Sequence, residues 1–108
     1  MRIAVSGALL IMAGNVASAQ EPSAKGRTFH EYSKCMKEAA TRYSVLDQPI
    51  TDIAEAAAAS CNDAFAAFSQ AVADNVNAPR RPAIIQHAIE TARREAVVVI
   101  AESKLAAD

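Results

Sequence analysis

A chain of 108 residues holds one domain at most. Hydrophobic residues make up 52% and charged residues 21%, too apolar a balance for a disordered chain. Ala fills 26 positions while Gly supplies 3 and Pro 4, which favours long helices over a turn-rich strand sandwich. The net charge of -1 and the lack of Trp leave neither an electrostatic nor a stacking case for nucleic acid.

Met1-Arg2 opens the chain with a single positive charge, and residues 3–16 are mostly apolar. Ala17-Ser18-Ala19 then places small residues where a signal peptidase must accept them. This three-part layout predicts a secretory signal peptide over residues 1–19, cleaved after Ala19. Ser6, Gly7, Gly14 and Asn15 interrupt a stretch already shorter than the roughly 20 apolar residues of a membrane span. Loss of Arg2 on cleavage leaves the remainder more acidic by one charge. Residues 20–27 contain Pro, Ser and Gly without an apolar period, so a flexible mature N-terminus is expected there.

The helical domain is expected over residues 28–108. Thr28 and Glu31 have the spacing of a capping box, in which each side chain satisfies the other's free backbone donor. The first helix is predicted from about Phe29 to Val45, with Phe29, Tyr32, Met36, Ala39, Ala40 and Tyr43 in steps of three and four. Asp47-Gln48-Pro49 ends it, because the residue before Pro is pushed out of the helical region. A second helix is predicted from Ile50–Asp52 to about Ala73, capped by Thr51 or Asp52. Its inward line is Ile53, Ala57, Cys61, Ala64, Phe65, Phe68 and Val72. A third runs from Pro82, whose missing N–H is not needed in a first turn, to about Leu105. The β-branched run Val97-Val98-Val99-Ile100 raises a strand alternative, but a lone strand has nothing to pair with.

Cys35 and Cys61 are the two thiols of the chain. In an oxidising compartment two cysteines permit one intramolecular pairing, worth about 3–4 kcal/mol for a loop of this length. A redox-active pair needs close spacing such as C-x-x-C, and 25 residues intervene here. The expected architecture is therefore all-α, a three-helix domain whose first two helices form an antiparallel pair crosslinked by Cys35–Cys61.

Catalytic and metal-binding constellations are not found. His30 beside Glu31, and His87 near Glu90, lack a nucleophile and an orienting third group. No pair among Cys35, Cys61, His30 and His87 has zinc-type spacing, and Met36 reads as core packing rather than a copper ligand. No cofactor is called for.

Two features bear on function. Apolar positions 97 to 100 spread over about 300° of helix surface, of which a three-helix domain buries only part; the rest is either covered by the first helix or exposed to a partner or second copy, with Val98 and Ile100 as the candidate interaction residues. Arg80-Arg81 precedes a helix, where cations oppose the dipole, which marks the pair as a second candidate contact for an anionic partner.

Cys35 with Ala39-Ala40, Ile53-Ala54 with Ala56 to Ala59, Cys61, and Arg93-Arg94-Glu95-Ala96 together make a pattern spanning most of the mature chain. It resembles a group of small exported proteobacterial helical proteins with two cysteines, to which no activity is assigned. The resemblance implies an exported helical domain with one disulfide, and no catalytic residue or substrate.

From the residues, the expected function is a non-catalytic, periplasmic or secreted interaction module that binds an envelope protein or a second copy of itself. The alternative is a carrier of a small apolar ligand or metal ion, with Met36, Phe65 and Phe68 as the walls of a cavity.

Overall fold

The computed structural model describes residues 23–107. The segment read as a signal peptide, residues 20–22 and Asp108 lie outside the described residues. All regular structure among the described residues is helical: α1 (Ala24–Tyr43), α2 (Ile50–Ser60), α3 (Asn62–Asn75), a 3-10 turn (Ala78–Arg80) and α4 (Arg81–Ala107).

Among the described residues four α-helices therefore replace the expected three, because the second segment is interrupted at Cys61. Cys61 sits at φ -111°, ψ 24°, and its N–H donates to the Ala58 carbonyl, three residues back rather than four. Ser60 Oγ donates to the Ala57 carbonyl at 2.8 Å, a local bond of the kind that bends helices. Asn62 and Asp63 then restart the helix, with the carboxylate of Asp63 in the first turn, where the dipole favours it. No Gly or Pro marks this break in the sequence.

The start of α1 also departs from expectation. Ser23 is the cap, its Oγ accepting from the Gly26 N–H at 3.1 Å. Residues 24–27, expected to be flexible, form the first turn of α1, so the helical domain begins before residue 28. Thr28 is inside the helix and donates to the Ala24 and Lys25 carbonyls at 2.8 and 3.1 Å, which removes it from any capping role. The physical reason is that the Ser23 hydroxyl satisfies the Gly26 N–H one turn earlier, and the helix so started carries Phe29 onto Phe68 with ring centroids 5.7 Å apart. At α2, neither Thr51 nor Asp52 is the N-cap. Pro49 is, and its carbonyl accepts from the Asp52 and Ile53 N–H groups at 3.0 and 3.1 Å.

Contacts fix the chain directions. Along α1, Cys35 meets Cys61, Tyr32 meets Phe65, and Phe29 meets Phe68, so α2 and α3 together run antiparallel to α1. Ser33 meets Glu95, and the connection after α1 meets Lys104 through Leu46, so α4 runs parallel to α1. The result is an up-down-up bundle in which the descending rod is broken once.

The Cys35–Cys61 disulfide is present, with Cα atoms 6.0 Å apart. It ties the middle of α1 to the break between α2 and α3. Around it the core is built from small side chains: Ala39, Ala40, Ala57, Ala92 and Ala96 have no exposed surface. Ala supplies the best helix propensity and lets backbones approach closely, so one residue type serves both secondary structure and packing. Ala88, Ala92, Ala96 and Ile100 recur every fourth residue and form the buried line of α4. Met36, Ile53 and Ile100 fill the space that the alanines leave. A second cluster lies toward the other end, where Phe68, Val72 and Ala88 pack with Phe29, Val76, Ile84 and Ile85.

Polar groups tie the rods at the edges. Ser33 Oγ donates to Glu95 Oε1 at 2.7 Å between α1 and α4. Arg93 of α4 pairs with Glu55 of α2 on the surface. Such an exposed pair is worth at most about 1 kcal/mol.

Candidate interaction surface

The four residues singled out as contact candidates have different fates. Val98 is 50% exposed, while Ile100 is fully buried in the larger core cluster. Val97 and Val99 are partly buried against the same cluster. The apolar run thus resolves into two flanks, one anchor and a single outward side chain. Ile100 is corrected from surface to core: it continues the four-residue spacing of Ala92 and Ala96, which the broader count of positions 97 to 100 obscured.

Arg80 is exposed in the 3-10 turn. Arg81 is half-buried, and its Nε donates to the Val76 carbonyl at 2.8 Å. That carbonyl follows the end of α3, where the chain turns extended, and the guanidinium satisfies it. Arg81 therefore has a structural task that the sequence did not reveal, and the basic pair is divided between fold and surface.

Three exposed apolar residues were not anticipated. Val45 is 85% exposed, Leu46 44% and Leu105 74%. Val45 and Leu46 occupy the connection between α1 and α2, and Lys104 Nζ donates to the Leu46 carbonyl at 3.0 Å, which fixes that connection against the end of α4. Val98 and Leu105 are seven residues apart, two turns, and so share one stripe of α4. One end of the bundle thus presents apolar side chains from both a connection and a helix. The signal in the sequence was Val45-Leu46 between Ser44 and Asp47, an apolar pair in an otherwise polar link.

Met36, Phe65 and Phe68 do not wall one cavity. Met36 and Phe65 line a crevice of about 170 Å³ with Tyr32, Ala58, Asn62, Ile89 and Arg93. Phe68 instead faces a separate apolar pocket of about 250 Å³ at the α1 start. Tyr32 stacks nearly parallel on Phe68 and at a tilt on Phe65, with centroids 6.4 and 5.3 Å away. Burial pushes its phenol above the ordinary value of 10.0, and the Arg93 guanidinium partly offsets this by favouring the phenolate.

His30 and His87 are both exposed, on α1 and α4. Among the described residues, no three His, Cys, Asp or Glu side chains converge as metal ligands. No helix among them is long and apolar enough to cross a membrane. No family model, curated protein or solved structure matches the chain.

Proposed function

We propose that this protein is an exported, non-catalytic interaction module that docks an envelope protein or a second copy of itself through the end surface formed by Val45, Leu46, Val98 and Leu105. The observation that carries this reading is the exposure of four large apolar side chains, three of them where the first connection meets the last turns of α4. Exposed apolar residues gathered in one place are what a partner surface requires, whereas isolated ones need no explanation. Arg80, at the remote end, is outside this surface. The disulfide and the signal-peptide pattern both support an oxidising compartment outside the cytosol.

The test is a Val98→Asp, Leu105→Asp double substitution in the protein expressed in its own host. Co-purification and sedimentation mass are compared with wild type. Loss of a co-purifying envelope protein, or a fall from dimer to monomer mass, with helicity unchanged, is the expected result. Identical mass and identical co-purifying proteins would count against the reading. Ile100→Asp cannot replace either substitution, because it would place a charge in the core and unfold the bundle.

A further inference from the structure

The pocket at the opposite end from the exposed apolar surface has a chemistry of its own. Its walls are Phe29 of α1, Phe68 of α3, and Ile84 and Ala88 of α4. Lys25 and His87 stand at its mouth and also line an adjoining surface depression, together with Arg80 of the 3-10 turn. Neither set of lining residues contains Asp or Glu. The side chains of Lys25, Arg80 and His87 make no hydrogen bond or ion pair with another described residue.

Gly26 is the second observation. It lies in the first turn of α1 with ordinary negative φ, and it contributes only its N–H to the Ser23 cap, which any non-Pro residue would do. Gly costs a helix about 1 kcal/mol relative to Ala, so folding alone gives no reason for it. Gly26 lines the pocket and contributes no side chain to it.

We propose that this pocket binds the chain end of a single-chain amphiphile with an anionic head group, such as a fatty carboxylate, the head group being held by Lys25, Arg80 and His87. The volume of about 250 Å³ lies just below the range of drug-sized sites and leaves room for one acyl segment. Apolar walls supply affinity in proportion to the methylenes buried, and the Lys25 and Arg80 cations at the rim choose the head group. This site is independent of the Val98 and Leu105 surface, and either can fail without the other. A free amphiphile is the occupant, since a vesicle presents its head groups to the protein and keeps its chain ends inside.

The protein is titrated by calorimetry, below micelle formation, with decanoate, decanol and decyltrimethylammonium. Decanoate is expected to bind tightest and the cation weakest, with affinity rising about fourfold per methylene from octanoate to decanoate. Gly26→Leu, which fills the pocket while improving helix propensity, abolishes decanoate binding, and Lys25→Glu with Arg80→Glu weakens it about fivefold or more without affecting decanol. Val98→Asp leaves it unchanged. The proposal is overturned if the folded protein ignores decanoate, if the three head groups bind alike, or if Gly26→Leu still binds. It is equally overturned if the protein sediments with phosphatidylglycerol vesicles without taking up decanoate, or if Gly26→Leu instead dissolves a ligand-free dimer.

Discussion

The two ends of the bundle solve the packing problem in opposite ways. From the disulfide toward the first connection, Ala39, Ala40, Ala54, Ala57, Ala92 and Ala96 bring three rods into close contact, and Met36, Ile53 and Ile100 fill what remains. Toward the start of α1, the spacing is set by aromatic rings: Phe29 against Phe68, Tyr32 against Phe65 and Phe68. Small side chains let backbones approach closely, whereas large rings set the helix axes further apart. The alanine-packed end carries the crosslink, the apolar exterior and a surface depression of about 420 Å³ between the first connection and the last turn of α4, and the ring-built end carries the pocket between Phe29 and Phe68.

The largest effects come from removing what each end depends on. Phe68→Ala deletes the ring that touches both Phe29 and Tyr32, and a loss of about 3–5 kcal/mol is expected. The value should fall at the lower end of that range, since the neighbouring pocket lets the remaining side chains close in. At the alanine-packed end, Cys35→Ser with Cys61→Ser should cost about 3–4 kcal/mol for a sequence separation of 26 residues. Urea unfolding followed by circular dichroism reads both, and the disulfide variant should also unfold with a larger m-value because its denatured chain is unrestrained. A Phe68→Ala loss far exceeding that of the double serine variant would mean that the ring-built end is as tightly packed as the other.

Why the sequence revealed one end better than the other follows from the same contrast. The disulfide, the all-helical class and the third helix with Pro82 in its first turn were legible because pairing arithmetic, Ala content and proline stereochemistry are local statements. The interruption at Cys61 was not legible, since Ala56 to Ala67 contains no Gly or Pro and the Ser60 hydroxyl that bonds the Ala57 carbonyl there belongs to a residue type that helices often tolerate. Ser23 was not legible as the cap because Thr28 and Glu31 match a local motif, whereas the helix starts at Ala24 and carries Phe29 onto Phe68. Of the candidate contact residues, Val98 and Arg80 are exposed, whereas Ile100 and Arg81 have tasks inside the fold. Helical angle alone could not separate Val98 from Ile100 without knowing where α1 and α2 lie.

Overpacking distinguishes the ends more directly. Ala96 has no exposed surface and faces the alanine-packed core, so Ala96→Leu should destabilise by about 1–3 kcal/mol as neighbours are forced apart. Ala88 occupies the same line of α4 two turns earlier, but it borders the pocket. Ala88→Leu should therefore be nearly neutral, within about 1 kcal/mol, because the added atoms occupy existing space and remove apolar surface from water. Chemical denaturation midpoints of the two variants give the comparison without any ligand. Equal penalties at both positions would show that the pocket is closed in solution.

Tyr32 stands where the two ends meet, and its ionisation gives the smallest and most selective signal. Its phenol titrates above 10.0 in the folded protein because burial disfavours the phenolate, with Arg93 opposing the rise. In the unfolded chain the proton leaves at the ordinary value. Below that pH the phenol is neutral in both states and the bundle keeps its full stability. As pH rises from there through the folded-state value, the unfolded chain has released a proton that the native state retains, and stability falls by at most about 1.4 kcal/mol per pH unit. Tyr32→Phe has no proton to lose there, so its unfolding midpoint should decline less steeply over that alkaline window while matching the wild-type slope near neutrality. Rapid guanidinium unfolding, completed before alkaline attack on the disulfide, measures the difference. Parallel slopes for the two proteins above pH 10 would place the phenol in water, and with it would go the close stacking of Tyr32 on Phe65 and Phe68 that joins the ring-built end to the alanine-packed one.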